Sequence, residues 1–424
     1  MKVSRRLKFH KRIWKLVGRD FWYFLRNLAL SLVVGIGVGS YAAGFALLIS
    51  LITDFRSTHM WLIFFLPAGG LAIVGLYRLC GIKNPKGTNR VLASISQHET
   101  LPIIMAPLIT VSTAITHFFG GSAGREGAAL QIGGSMGRAV GQLVRLDEKN
   151  ITIMTLCGMS AAFSAMFGTP LTAAVFAMEV ISIGIMHYSA IVPCAAAALS
   201  ASLMAKLIGV SGEAYTVSFP DFGWIIALKA LGFAVACAII SSIFCILLHK
   251  TEEFYHKFFP NQYLRAVCGG VFVIFITMLT GSADYNGAGS NIIAQAIEGS
   301  AVPYAFVVKM IITALTLEAG FKGGEIVPTL FIGATFGCVF GPLIGIPAGT
   351  AAALGMCAVF CGVTNCPIAS ILLAIELFGV NGLPLYLIVV AVSYRLSGYY
   401  GLYAGQKIMY SKTAPTFVNR STKQ

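Results

Sequence analysis

The sequence predicts an all-α polytopic membrane protein assembled from two copies of one helical unit, and three observations carry that prediction. Of 424 residues, 57% are hydrophobic and only 11% charged, where soluble domains carry about a quarter charged residues. Apolar runs of about 20 residues, enough to cross a bilayer as a helix, recur along the chain. Setting residue n against n + 200 aligns Gly124 with Gly324, Leu130 with Leu330, Ile132 with Ile332, Gly133 with Gly333, Gly137 with Gly337 and Gly141 with Gly341. Farther on the offset becomes 197, aligning Pro170 with Pro367 and Glu179 with Glu376. Matched landmarks in the same order mark an internal duplication.

Residues 1–20 are expected to form a basic amphipathic helix on the cytoplasmic face. Lys2, Arg5, Arg6, Lys8, Lys11, Arg12, Lys15 and Arg19 alternate there with Phe9, Ile13, Trp14, Leu16 and Val17, a pattern that anionic lipid holds at the interface. The first repeat is placed at 21–215, with apolar segments over 21–53, 61–79, 102–119, 127–144, 151–167, 171–186 and 190–207 and a polar stretch over 81–99. The second repeat is placed at 222–410, with segments over 222–248, 264–280, 302–317, 329–346, 351–360, 368–378 and 383–396, the first followed by a polar loop containing Glu252, Glu253 and Lys257. Residues 411–424 form a tail. Lys407, Lys412, Arg420 and Lys423 put it on the same side as the N-terminus, so both termini are expected in the cytoplasm and the protein in the inner membrane. The positive-inside rule then accounts for the net charge of +14 without nucleic acid. No cleavable signal peptide is expected.

The stretch 120–130 interrupts this apolar background with Arg125 and Glu126 among Gly120, Gly121, Gly124 and Gly127. A charge at membrane depth costs roughly 2.5 to 3.5 kcal/mol on insertion scales, so such groups usually line a polar cavity or an ion path. Glycines let backbone N–H groups approach a ligand, and a helix beginning at residue 127 aims its positive end at the cluster. The result is an anion site with a carboxylate beside it. Glu126 is therefore the expected gate and proton carrier, with Arg125 tying down loops. The second copy reads Lys322-Gly323-Gly324-Glu325-Ile326-Val327-Pro328, so two helix starts face one region, as in transporters built from repeats with broken helices. Glu325 is the second candidate.

Other residues carry blander readings. Glu179 and Glu376, late in paired helices, read as caps or salt bridges. Glu318 and Lys322 are spaced to pair. His117 reads as a hydrogen-bonded structural histidine. Tyr403 offers either a phenolic O–H to an anion or an interface anchor. Cys357, Cys361 and Cys366 lack zinc-site spacing and nearby histidines, so no metal or other cofactor is expected. No nucleophile or metal set suggests an enzyme. A transporter of organic substrates would need a larger cavity.

The stretch 116–127, the second motif at 323–328 and the terminal Gly401-Leu402-Tyr403 resemble the CLC superfamily of anion channels and anion/proton antiporters, over about residues 21–410. The resemblance implies a homodimer with one pore per subunit, inverted-topology repeats and a central anion site where broken helices meet. It implies Glu126 as the gating glutamate and Tyr403 as an anion-coordinating tyrosine. Backbone around Gly124, Gly127, Ala128, Ala129, Gly324, Ile326 and Val327 would line the site. Glu325 in place of the usual aromatic, Gly87-Thr88-Asn89 in place of a Gly-Ser-Gly-Ile-Pro segment, and Val180 where chloride/proton exchangers keep an internal glutamate are similar to the fluoride/proton antiporter clade. Thr88 stands where that clade usually shows Met or Asn, and Val327 where it tends to have Asn or Thr. The implied function is fluoride export in exchange for protons; the alternative is a chloride/proton exchanger or a passive chloride channel.

Overall fold

The structure is a computed structural model that describes the backbone of residues 2–422 except Lys83, Asn84, Lys86 and His98, and side chains from Phe21 onward. The side chains of the basic segment 1–20, and Lys423, lie outside the described residues. A first set of helices comprises α1 (Lys2–Thr58), α2 (Leu66–Leu79), α3 (Thr88–Ser96), α4 (Met105–Phe118), α5 (Glu126–Leu143), α6 (Glu148–Phe167), α7 (Pro170–Glu179) and α8 (Ile191–Ile208). A second set comprises α9 (Trp224–Phe258), α10 (Gln262–Thr280), α11 (Ser290–Ile297), α12 (Ala305–Glu318), α13 (Ile326–Phe340), α14 (Ala348–Thr364), α15 (Pro367–Phe378) and α16 (Leu383–Leu396). The two sets run in the same order, α4 to α7 answering α12 to α15. Among the described residues seven helical segments are long and apolar enough to cross a membrane, and five shorter apolar helices accompany them. The chain is a multi-pass membrane protein with the helix arrangement of inverted repeats.

Four expectations change. The basic segment is not a separate helix: Lys2–Thr58 is continuous over 57 residues, because no proline stops it, and at 1.5 Å per residue it is about 85 Å long. The polar stretch 81–99 also has an apolar side, since α3 buries Val91, Leu92 and Ile95. Glu252, Glu253 and Lys257 lie inside α9 rather than in a loop, where Lys250 pairs with Glu253 at 2.9 Å. The segment 171–186 is helical only to Glu179; β1 (Ser182–Ile183) follows it and pairs in parallel with β2 (Lys407–Tyr410), which pairs antiparallel with β3 (Phe417–Ser421). The tail thus closes a small sheet on the first repeat.

Packing explains the duplicated glycines. A Cβ on Gly133 would stand 2.1 Å from the Gly158 carbonyl oxygen, and one on Gly333 would stand 2.4 Å from that of Gly355. A Cβ on Gly137 would stand 2.2 Å from the Met154 carbonyl oxygen, and one on Gly337 would stand 2.1 Å from that of Ala351. Backbones this close require small residues at the contact, so α5 is pressed on α6 and α13 on α14 by the same device.

The paired glutamates are reciprocal caps. Ile368 N and Ala369 N donate to Glu179 at 3.1 and 2.8 Å. Leu171 N and Thr172 N donate to Glu376 at 2.9 and 2.8 Å, joined by Thr172 Oγ1 at 2.6 Å. Each carboxylate satisfies orphan N–H groups at the start of the other repeat's helix and complements its dipole. Glu376→Ala is expected to destabilise the protein by about 2 kcal/mol. A thermal-unfolding scan in detergent should show the lowered midpoint, with Glu376→Gln recovering part of it; an unchanged midpoint would remove the cap from the account.

Candidate anion site

The site is built where α5 and α13 begin. Gly124 N donates to Gly324 O at 2.7 Å and Gly324 N to Gly124 O at 2.7 Å, an antiparallel bridge between the residues that the 200-residue offset pairs. The support is duplicated too. Ser122 N donates to Thr316 Oγ1 at 3.1 Å, and Lys322 N to Thr116 Oγ1 at 3.1 Å. Only glycine fits at the bridge, because a Cβ on Gly324 would lie 2.3 Å from Gly127 N.

Neither helix start has a side-chain cap. The first intrahelical bonds at these ends are Ala129 N to Arg125 O and Thr329 N to Glu325 O, both 3.0 Å. The N–H groups of Gly127, Ala128, Ile326 and Val327 therefore precede the helical ladders, and Pro328 has no N–H to satisfy. Glu126 is 2% exposed and folds back on its own helix start: Arg125 N donates to Oε2 at 3.0 Å and Arg125 Nε to Oε1 at 3.4 Å. A Cβ on Gly127 would stand 3.3 Å from Glu325 Oε2, so the two glutamates flank one backbone crossing.

On one side of this crossing is a cavity of about 460 Å³ lined by Gly87, Thr88, Asn89, Gln131, Glu325 and Tyr403, among others. Tyr403 is buried, and its phenolic oxygen and Glu325 Oε2 have no hydrogen-bond partner. Buried polar atoms are nearly always paired, so two orphans in one cavity mark a place for a ligand. Thr88 is held by Gln131, whose Nε2 reaches Thr88 Oγ1 at 3.4 Å and Gly127 O at 3.2 Å. Asn89 turns its Oδ1 to Gly405 N at 2.9 Å. Arg125 lines a different cavity of about 500 Å³ that shares no lining residue with the first.

Sequence reasoning missed the residues that fix Tyr403. Gln406, fully buried, donates through Nε2 to Val180 O and Thr364 O, both at 2.9 Å. Thr422 Oγ1 donates to Tyr403 O at 2.6 Å and Leu402 N to Val363 O at 2.9 Å. Lys412 of the tail reaches Asn365 Oδ1, and Ser397 Oγ at 3.1 Å. Burial lowers the Lys412 ammonium to a pKa of about 8. Gln406 stands between Gly405 and Lys407, so nothing in its sequence context signalled these contacts.

Residues 69–398 match the family model described as voltage gated chloride channel. A chloride/fluoride channel protein of Pseudomonas syringae pv. tomato is 34% identical over 400 residues, spanning 92% of this chain and 88% of the relative. An H(+)/Cl(-) exchange transporter ClcA of Vibrio campbellii is 25% identical, spanning 82% and 81%. The crystal structure of a CLC-type fluoride/proton antiporter superposes with a TM-score of 0.88 at 32% identity, over 91% of this chain and 98% of that one. With its duplicated helix starts, its glycine bridge and this breadth of match, the chain belongs to the CLC superfamily, near the fluoride/proton antiporters.

Proposed function

We propose that the protein exports fluoride in exchange for protons, with Glu126 as both gate and proton carrier. The observation that carries this reading is the meeting of two uncapped helix starts with the unpartnered Tyr403 hydroxyl and Glu325 Oε2. Fluoride is small and strongly hydrated, so replacing its water shell requires several short donors. Tyr403 O–H and the N–H groups of Gly127, Ala128, Ile326 and Val327 supply them. Glu325 joins as a donor only when protonated.

Glu126 competes for the same N–H groups while ionised. Protonation removes that competition, so an anion enters as the proton is taken up, and the two exchange in opposite directions. An inward proton gradient then drives fluoride out. By the same reading, protein in the inner membrane keeps both termini in the cytoplasm and works as a homodimer with one pore per subunit.

The test is efflux from liposomes holding the purified protein, read with fluoride and chloride electrodes and a pH probe. Fluoride is expected to leave at least about tenfold faster than chloride, a difference of about 1.4 kcal/mol, and to draw protons uphill. Equal chloride flux without uphill proton movement would make the protein a passive CLC channel. Proton coupling with chloride preferred would make it a chloride/proton exchanger, the outcome that the apolar Val327 side chain favours.

A further inference from the structure

The cavity on the Arg125 side of the gate has donors of its own. Its lining includes Arg56, His117, Arg125 and Asn286. His117 and Asn286 are 1% and 3% exposed, yet His117 Nε2, Asn286 Nδ2 and Arg56 Nε all lack a hydrogen-bond partner. The structural, hydrogen-bonded role expected for His117 leaves that nitrogen unexplained. Leaving such groups unpaired costs roughly 1 to 3 kcal/mol each, and three in one pocket call for a common partner.

The geometry brings them together. Two glycine turns in the left-handed region, Gly120 at φ +83° and Gly287 at φ +60°, bracket the Arg56 guanidinium. A methyl at Gly120 would stand 3.3 Å from both Arg56 Nη1 and Asn286 Nδ2, and one at Gly287 would stand 3.2 Å from Arg56 Nη2 and 3.8 Å from His117 Nδ1. Gly287 N donates to Gly121 O at 3.0 Å, tying this pocket to the motif loop. Thr277 Oγ1 donates to Asn286 Oδ1 at 3.1 Å, which turns the amide NH₂ away from that contact. Behind the loop the buried Lys309 Nζ donates to Tyr285 O at 2.9 Å and Gly287 O at 2.7 Å, fixing the loop against α12.

Three carboxylates also line the cavity: Asp54, Glu213 and Asp284. Asp54 and Asp284 are exposed at its rim. Asp284 Oδ2 accepts from Ser282 Oγ at 2.6 Å and Glu213 Oε2 from Tyr215 OH at 2.8 Å. Glu213 is half-buried.

We propose that Arg56, Asn286 and His117 form a second anion site, in the Arg125-lined cavity separate from that of Thr88 and Tyr403, at which a small monovalent anion waits while the Glu126 carboxylate occupies the helix starts. The waiting role rests on the reading of Glu126 as the gate; the binding site does not. The anion's partners are the guanidinium N–H groups of Arg56, the NH₂ of Asn286 and the His117 ring. Arg125 at the same cavity then hands it toward Gly127.

Calorimetric titration of the full-length protein with sodium fluoride, and separately sodium chloride, tests the site. Two binding components are expected. Asn286→Asp and Arg56→Gln should each weaken one component at least tenfold and leave the other, and Tyr403→Phe should weaken only the second. Arg56→Lys should recover part of the first. Unfolding midpoints identify variants that fail to fold, and Arg56→Lys remains informative if Asn286→Asp does so. A single component unchanged in the vestibule variants would overturn the proposal. So would an equal, salt-screened weakening of both components, which would mean that Arg56 acts only through its long-range field. If the liposomes show no proton coupling but the vestibule variants still lose one component, the second site stands and the antiporter reading falls.

Discussion

Glu126→Gln is expected to bring fluoride-driven proton uptake down to the leak of empty liposomes, a loss of roughly a hundredfold or more, as for removal of a positioned proton-transfer group. Gln has the shape of Glu and can still accept from Arg125 N, the 3.0 Å contact made by Glu126 Oε2. It carries no exchangeable charge, so it cannot alternate between competing with the anion and withdrawing. Fluoride flux itself is expected to slow or to run uncoupled, and pH imposed across the membrane should no longer accumulate fluoride. The alternative is a purely structural ion pair, given the 3.4 Å approach of Arg125 Nε to Glu126 Oε1. In that case the variant would lower the unfolding midpoint and leave protons per fluoride unchanged. Measuring both quantities on one preparation separates the two roles.

Gly324→Ala is expected to be the most damaging small change in the chain. The added methyl would stand 2.3 Å from Gly127 N and 2.7 Å from Gly127 Cα. Both neighbours are backbone, so no side chain can turn aside, and overpacking here should cost about 3 kcal/mol or more. Because the displaced atoms include a donor of the proposed anion site, transport should fall further than stability alone explains. Gly37→Ala is the control, since nothing lies within 4 Å of its Cβ position and alanine favours a helix by about 1 kcal/mol. A Gly324→Ala protein with wild-type unfolding and flux would mean that the helix starts separate more readily than their contacts imply.

Much of this was legible in the residues. The 200-residue offset names the Gly124–Gly324 pair, and the structure joins those two glycines by hydrogen bonds. The prolines and glutamates at the 197-residue offset name the reciprocal caps. Repetition is visible because both copies solve one packing problem with one set of small residues. What the sequence hid was long-range and polar. Gln406 lies 226 residues from Val180, whose carbonyl it holds, and neither residue type signals the contact. The small sheet was hidden because Ser182–Ile183 has two residues, too few for strand periodicity to register. The vestibule donors were hidden for a related reason: Arg56, His117 and Asn286 sit on three elements, and each has an ordinary explanation when read alone.

The glycine bridge also limits how the molecule can change shape. Its two 2.7 Å hydrogen bonds run in opposite directions between the repeats, and Ser122–Thr316 and Lys322–Thr116 tie the flanking loops to α12 and α4 in the same sense. Rocking one repeat against the other would break this lattice at its centre, beside the proposed anion site. On the proposed reading of Glu126 as the gate, the cheapest moving part is its side chain, with three rotatable bonds and two states of charge. On that reading the stroke is one carboxylate and needs no hinge, and the fusion of the two copies at their middle becomes a condition of transport instead of an obstacle to it.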